Sequence, residues 1–323
     1  MARCCRGRDG AQRGRSHPRA RGAAVIGEGA GTAIDIKALL GLRHVVHNLQ
    51  SARVHRTAAL PGPIVTKRRG RGMEVDEVRA WTHGDDVRHI DRNTTARTGR
   101  PHVRTFRDER EQTTLLLADF RASMLFGTRR AFRSVVAAEI LALAGWRAAV
   151  LGGRVALLAI GGSEPLLLKP AAGDRAMTRI IGGLHRAHGE AIAAPFMAEA
   201  PLAEALEMAA RALPRGGTIV LASGLDSAGI GFDDAVRAAT HRVDLRIALV
   251  SDAFERTAPR GAYPFITPEG KRGLHIVTHP RAEAGEARIA ALRRLGAHAV
   301  RFDAELMPER QMAMLGRLHG DDA

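Results

Sequence analysis

The sequence predicts an α/β fold, in which a doubly wound, mostly parallel sheet follows a smaller N-terminal region. Three observations predict it: short apolar runs that resemble strands, helical patterning between them, and a change of composition near residue 112. Apolar strands that alternate with helices are typical of a parallel sheet covered on both faces. We therefore divide the chain into an Arg/Gly-rich tail, a helix with a β-rich region, and an α/β domain, at 1–33, 34–111 and 112–323.

The individual elements follow from the apolar patterning along the chain. An amphipathic helix is predicted over 34–50, and the proline, glycine and positive charge of 60–75 predict a loop or hairpin. From residue 112 onward, strands are predicted at 113–118, 154–160, 217–222, 244–250 and 297–302. Helices are predicted at 128–150, 174–187, 201–213, 231–241, 281–296 and 308–319. Residues 265–277 have the pattern of an inserted hairpin.

Composition narrows the class of protein. No apolar run approaches the roughly 20 residues of a membrane helix, and the two cysteines, Cys4 and Cys5, are adjacent in the tail. We therefore expect a soluble protein of the cytoplasm. The net charge is +15 but aromatic residues are only 4% of the chain, so nucleic acid is not the expected partner.

One short stretch carries the main site hypothesis. The apolar run 115–118 ends in Asp119, and Arg121 and Ser123 follow. The carboxyl ends of parallel strands are where ligands bind in open α/β sheets. The sequence contains neither a Gly-x-Ser-x-Gly nucleophile motif nor a phosphate-binding Gly-x-x-x-x-Gly-Lys-Ser/Thr loop. We therefore expect a binding protein at this edge rather than an enzyme.

A second cluster combines histidines and carboxylates: His83, Asp85, Asp86, His89 and Asp91. A metallohydrolase site is one interpretation. Aspartates are also favoured in turns and at helix N-termini, and three arginines lie close in sequence for ion pairing, at positions 88, 92 and 97. The structural interpretation is the preferred one, and the metallohydrolase remains a remote alternative.

Four linked segments resemble a known family. They read GDDVRHID (84–91), ARTGRPHVRTF (96–106), ERE (109–111) and LLLADFRASMLFG (115–127). Together they resemble the bacterial family called domain of unknown function 58, a relative of the von Willebrand factor A domain. Within the family motif we assign structural roles to Gly84, Asp85, Asp86, Arg88, Asp91 and Arg97.

The resemblance also implies a function. Relatives are commonly encoded beside a MoxR-type AAA+ ATPase, with a presumed role as an adaptor in the assembly or maturation of a client enzyme. The resemblance therefore implies a von Willebrand A-like domain whose partner is this ATPase, its client protein, or both.

In von Willebrand A domains, an Asp-x-Ser-x-Ser loop holds Mg²⁺, and a second aspartate from a later loop completes the site. Here Asp119 and Ser123 match, but Arg121 stands at the first serine, and a guanidinium cannot ligate a metal. The later Ser-Asp-Phe pattern is replaced by Ser223-Gly224-Leu225, with Asp226 next.

We therefore expect no metal and no other cofactor. Arg121 would pair with Asp119 or offer its fork to a carboxylate of a partner. The expected partner-binding residues are Asp119, Arg121, Ser123, Ser223 and Asp226. Two alternatives remain at this stage. Asp226 could restore a Mg²⁺ site, or Arg121 could turn to solvent while Asp119 caps the loop.

Overall fold

The computed structural model describes residues 31–58, 75–83, 85–106, 112–193, 201–226, 228–266, 271–278 and 282–321. The tail expected at 1–33 lies outside these ranges except for its last three residues. Most of the loop or hairpin expected at 60–75 lies outside them too.

The described chain forms ten strands and nine α-helices. The strands are β1 (Val75–Ala80), β2 (His102–Phe106), β3 (Thr113–Asp119), β4 (Arg154–Ile160), β5 (Leu166–Ala172), β6 (Thr218–Ser223), β7 (Asp244–Ser251), β8 (Gly261–Ile266), β9 (Arg272–Val277) and β10 (His298–Asp303). The helices are α1 (Ile36–Ala58), α2 (Arg92–Thr98), α3 (Arg133–Val150), α4 (Gly173–Ala193), α5 (Leu202–Ala212), α6 (Phe232–Thr240), α7 (Ala253–Thr257), α8 (Ala282–Arg294) and α9 (Pro308–His319).

A six-stranded sheet has the order β10-β7-β6-β3-β4-β5, and every pair is parallel except β4 with β5. Alternate side chains of β3 enter the two apolar cores on opposite faces. Leu116 belongs to the apolar cluster that contains residues of α1, α3, α4 and α9, whereas Leu117 belongs to the cluster that contains residues of α5, α6 and α8. The doubly wound α/β fold predicted from the sequence is confirmed. The chain leaves β3 first toward β4 and returns on its other side at β6, so the strand order reverses between β3 and β6.

The antiparallel edge strand β5 and the short helix α7 escaped the sequence analysis. Side chains of β5 alternate between partly buried and exposed, and Pro170 interrupts it. This is the pattern of an edge strand covered on one face, which a search for continuous apolar runs does not find. Helix α1 is also longer than predicted, since it ends at Ala58 rather than near residue 50.

Helix α1 belongs to the core of the sheet domain although it precedes the β1–β2 hairpin in the chain. Leu39, Leu42 and Val46 are buried in the same apolar cluster as α3. The indole Nε1 of Trp146 donates a hydrogen bond to the carbonyl of Leu39 at 3.0 Å. Burial of this apolar stripe anchors α1 on the helical layer that covers one face of the sheet.

Within the described ranges, no helix combines the length and the apolar character that a bilayer span requires.

A buried histidine makes the stability of this core depend on pH. The Nε2 atom of His188 lies 2.9 Å from the hydroxyl of Ser134, and the imidazole packs edge-on against Phe120. Burial, together with the nearby charge of His185, lowers the pKa of His188 from 6.5 to about 4. The unfolded chain therefore takes up this proton at a higher pH than the folded chain does.

We predict that the free energy of unfolding falls as the pH drops from 6.5 to about 4. His188 contributes up to about 3 kcal/mol of this loss, because each pKa unit corresponds to about 1.4 kcal/mol. The His188→Gln variant keeps a hydrogen-bonding group near Ser134 and is expected to show a flatter pH profile. Chemical denaturation across this range measures both profiles, and parallel profiles would contradict the prediction.

Candidate functional site

The reversal of strand order brings the carboxyl ends of β3 and β6 together. Open α/β sheets bind their ligands at such a reversal. Asp119 is the last residue of β3 and Ser223 the last residue of β6, and both are completely buried. The hydroxyl of Ser223 donates to Oδ2 of Asp119 at 2.6 Å, so the two strand ends are joined by a direct side-chain hydrogen bond.

Arg121 folds back on Asp119 to form a two-point ion pair. Its Nε donates to Oδ1 and its Nη2 to Oδ2 of Asp119, both at 2.9 Å. The Arg121 backbone N–H adds a bond to Oδ1 at 3.1 Å. Only 2% of Arg121 is exposed, so the alternative in which it turns to solvent is wrong. Of the two roles expected for the guanidinium, pairing with Asp119 is the one observed.

These contacts leave the carboxylate of Asp119 without room for a metal ion. A carboxylate has about four lone-pair directions. Arg121 fills three of them and Ser223 fills the fourth. The guanidinium also places a fixed positive charge where a cation would approach. The residues at this position therefore do not fit the Mg²⁺ site that von Willebrand A domains use.

Asp226 does not restore the metal site, because it is engaged by another arginine. The Arg133 guanidinium pairs with Asp226 at 2.8 Å and with Glu255 at 2.5 Å, and it also donates to the carbonyl of Ser123. Burial opposes the charge of Arg133, but the two carboxylates outweigh it and raise its pKa above the ordinary value. Burial raises the pKa of Glu255 despite the arginine beside it.

The backbone between Ser223 and Asp226 is shaped by this second pair. A Cβ atom at Gly224 would lie 2.7 Å from Oδ2 of Asp226 and 2.9 Å from Nη1 of Arg133. Leu225 adopts a left-handed conformation with φ of 57°, and its N–H donates to the Ser223 hydroxyl at 3.0 Å. The glycine at 224 therefore leaves the space that the Arg133–Asp226 pair occupies.

The next strand end is tied to the same edge. Asp252 follows β7 and caps α7, and its carboxylate accepts from the hydroxyl and the N–H of Thr128 at 2.5 and 3.0 Å. Burial alone would raise the pKa of Asp252, but hydrogen bonds from Thr128 and the N–H of Phe254 outweigh burial and hold it below its ordinary value. The end of β10 joins this edge through an ion pair between Arg256 of α7 and Asp303, at 3.0 Å.

We call this set of paired charges and the two hydroxyl groups bound to them the ionic layer: Asp119, Arg121, Thr128, Arg133, Ser223, Asp226, Asp252, Glu255, Arg256 and Asp303. The sequence analysis missed six of these residues: Thr128, Arg133, Asp252, Glu255, Arg256 and Asp303. The rule that strand ends carry the site could have found Asp252 and Asp303, because each lies at the end of a predicted strand. Nothing in the sequence pattern identifies Arg133, whose partners are about 90 and 120 residues away along the chain.

Burial separates the residues expected to bind a partner into two groups. Asp119, Arg121 and Ser223 lie beneath the surface, so a partner cannot touch them unless this edge opens. Ser123 and Asp226 remain partly accessible. The three buried residues hold the loops in place. Direct contacts with a partner would be made by the accessible residues of this edge.

The cluster at 83–91 is built as turn and cap residues. Asp86 caps a short 3₁₀ turn and Asp91 caps α2, where its carboxylate accepts from the N–H of Thr94 at 2.7 Å. Asp85 binds the Arg79 guanidinium through both oxygens, at 2.6 and 2.7 Å.

The ion-pair partners of this cluster differ from those expected. Arg79 on β1 pairs with Asp85, and Arg104 on β2 pairs with Asp91. The arginines at 88, 92 and 97 do not fill these roles, because the pairing of β1 with β2 places Arg79 and Arg104 next to the segment that connects the two strands. Arg79 lowers the pKa of Asp85. The N–H of Thr94 and the Arg104 guanidinium lower the pKa of Asp91 to about 2. Within the described ranges, no three His, Cys, Asp or Glu side chains gather as a metal site would require.

Comparison with known proteins gives one family match. The model of a family described as protein of unknown function DUF58 matches residues 77–292. Uncharacterized protein Mb1516 of Mycobacterium bovis and uncharacterized protein Rv1480 of Mycobacterium tuberculosis are each 49% identical over 59 residues. That stretch is 18% of this chain and 19% of each relative.

The buried ion pair supplies the main stability test. We predict that Arg121→Ala lowers the free energy of unfolding by about 3–5 kcal/mol, because it leaves the Asp119 carboxylate buried without a counter-charge. Arg237→Ala is the control, since Arg237 pairs with Asp234 on an exposed helix surface and should cost about 0.5 kcal/mol or less. Denaturant titration measures both.

The double variant Asp119→Ala/Arg121→Ala should cost clearly less than the sum of the two single variants, because neither charge is left alone. Strict additivity, or an Arg121→Ala effect as small as the control, would show that the pair does not stabilise the edge.

Proposed function

Since the chain belongs to the family described as protein of unknown function DUF58, we propose that it is a non-enzymatic interaction protein that works with a MoxR-type AAA+ ATPase. Its role would be that of an adaptor in the assembly or maturation of a client enzyme. The choice of ATPase rests on the family resemblance of the motifs between residues 84 and 127. The choice of a binding role rests on the carboxyl edge of the sheet.

The observation that carries the proposal is a set of exposed apolar side chains above the ionic layer. Phe126, Ile230 and Met307 lie in the connections that leave the carboxyl ends of β3, β6 and β10, and all three are exposed. Phe265, Leu274 and Ile276 extend the set on the β8–β9 hairpin beyond β7. We call these six residues the apolar rim. Exposed apolar groups gathered on one edge are typical of a protein-binding surface.

The ionic layer supports this rim without taking part in chemistry. Its carboxylates and guanidinium groups pair with one another, so they fix the loops from which the rim projects. The Arg133 guanidinium also lies over the ring of Phe126, 5.8 Å from its centroid, and so links the two levels directly. A partner would contact the apolar rim and the accessible Asp226. The buried charge pairs beneath them would stay intact when the partner binds.

We expect affinity capture from native extract to recover a AAA+ ATPase equally in EDTA and in Mg²⁺. Ile230→Glu should reduce recovery about tenfold or more, since a charge in the centre of an apolar contact removes a main anchor. The matched control is Leu167→Glu, which places the same charge at an exposed leucine on the lateral strand β5, outside the apolar rim. Capture that requires Mg²⁺, or equal loss in both variants, would argue against the proposal.

A further inference from the structure

The β8–β9 hairpin is inserted where the chain leaves the carboxyl end of β7 and the short helix α7. Its register runs from the Gly261–Val277 pair to the Ile266–Arg272 pair without a shift. In the part of the chain that the structure describes, these two strands pair only with each other. An isolated two-stranded ribbon is marginally stable in water. The hairpin therefore depends on its packing against the rest of the protein for stability.

One face of the hairpin packs on the protein. The ring of Tyr263 contacts Phe254 of α7 edge-on, with centroids 4.8 Å apart, and Phe254 in turn contacts Phe126 at 6.1 Å. The Tyr263 hydroxyl donates to the carbonyl of Pro259 at 2.9 Å. This aromatic chain fixes the hairpin beside the loop that follows β3.

The opposite face is apolar and exposed. Residues paired across an antiparallel ladder lie on the same face, and successive residues alternate between faces. Ala262 pairs with Ile276 and Pro264 with Leu274, so all four lie on the face opposite to Tyr263. Leu274 and Ile276 are 61% and 64% exposed. Two large aliphatic side chains therefore project to solvent from one strand, two residues apart.

The two free edges of the hairpin are not equivalent. Pro264 lacks an N–H, so β8 cannot present an unbroken row of donors to a further strand. Strand β9 contains no proline between Arg272 and Val277. Such an edge presents backbone donors and acceptors that pair readily with an extended peptide.

The hairpin is basic in net charge. Arg260, Lys271 and Arg272 are exposed, and the one acid between residues 260 and 278 is Glu269, in the connection between the strands and outside the described residues. An edge of this kind complements an extended segment that carries carboxylates and repels a basic one.

We propose that β9 is a docking edge for an extended segment of a partner protein, which adds to the hairpin as a third strand. On the face that carries Leu274 and Ile276, apolar side chains of the segment cover these two residues and a carboxylate meets Arg272, which lies on the same face of β9. This inference rests on the proposed interaction function and names the element and the chemistry by which the partner is held.

The test uses the full chain to select binders from a displayed library of random short peptides, without prior choice of partner. The selected peptides should carry apolar residues and one Asp or Glu at alternate positions, so that these side chains share one face of the added strand. Fluorescence anisotropy should show binding at least about tenfold weaker for Leu274→Glu and unchanged for Leu167→Glu. Amide hydrogen exchange of β9 should slow on binding, because the peptide takes up its free backbone groups.

A charge-swap pair protects the test against simple misfolding of a variant. Arg272→Glu should lose the acidic peptide and gain the same peptide with its acids replaced by lysine. Failure to enrich acidic peptides, or binding that ignores both hairpin variants, overturns the proposal.

Two further outcomes separate it from the broader function. Suppose that the peptides bind Leu274→Glu as well as the wild type but no longer bind Ile230→Glu. The binding function of the carboxyl edge would then stand, and the proposal that β9 is the docking edge would be refuted. If the wild type dimerises in sedimentation experiments and Leu274→Glu is monomeric, the edge binds a second copy of the chain and the acidic-segment proposal is overturned.

Discussion

A carboxylate buried at the end of the central strand has to be neutralised, and the carboxyl edge of this protein is arranged around that requirement. An unpaired charge in such a position costs several kcal/mol. Arg121 supplies the counter-charge from two residues away, in a two-point contact with Asp119. Ser223 then ties the neighbouring strand to the same carboxylate. The loop after β3 and the loop after β6 therefore share one anchor, and Phe126 and Ile230 of the apolar rim project from those loops.

Replacing a cation by a guanidinium changes what the edge can do. A metal ion with an open coordination position recruits an acidic oxygen from a partner directly. The guanidinium of Arg121 is permanently charged, directional and already engaged by Asp119. Arg133 extends the same arrangement to Asp226 and Glu255. In this account a partner is bound by the apolar rim and the basic hairpin rather than by a central ion. The affinity for the partner is then independent of the divalent-ion concentration.

The strands and helices with strong periodicity could be predicted from the sequence, as β4 and α9 show. Their apolar patterns are continuous enough to fix both type and limits. The position of Asp119 at the carboxyl end of β3 could be predicted too, because it directly follows the apolar run 115–118. The partly exposed β5 could not, because three of its seven residues are exposed and none is fully buried.

The ion-pair partners followed tertiary structure rather than sequence distance. Arg133 reaches Asp226 and Glu255 only because the sheet brings three strand ends together. For the same reason Asp91, in the connection between β1 and β2, is held by Arg104 on β2 rather than by an arginine beside it in sequence. The sequence therefore identifies the chemistry of this edge more readily than its pairing.

The central claim is that Arg121, rather than a metal ion, neutralises Asp119, and a Mn²⁺ titration followed by electron paramagnetic resonance tests it most directly. The account predicts that the wild-type chain leaves Mn²⁺ in its free, hydrated form. Saturable Mn²⁺ binding by the wild type that disappears in Asp119→Ala would contradict the account. It would show that Asp119 ligates a metal ion at this edge.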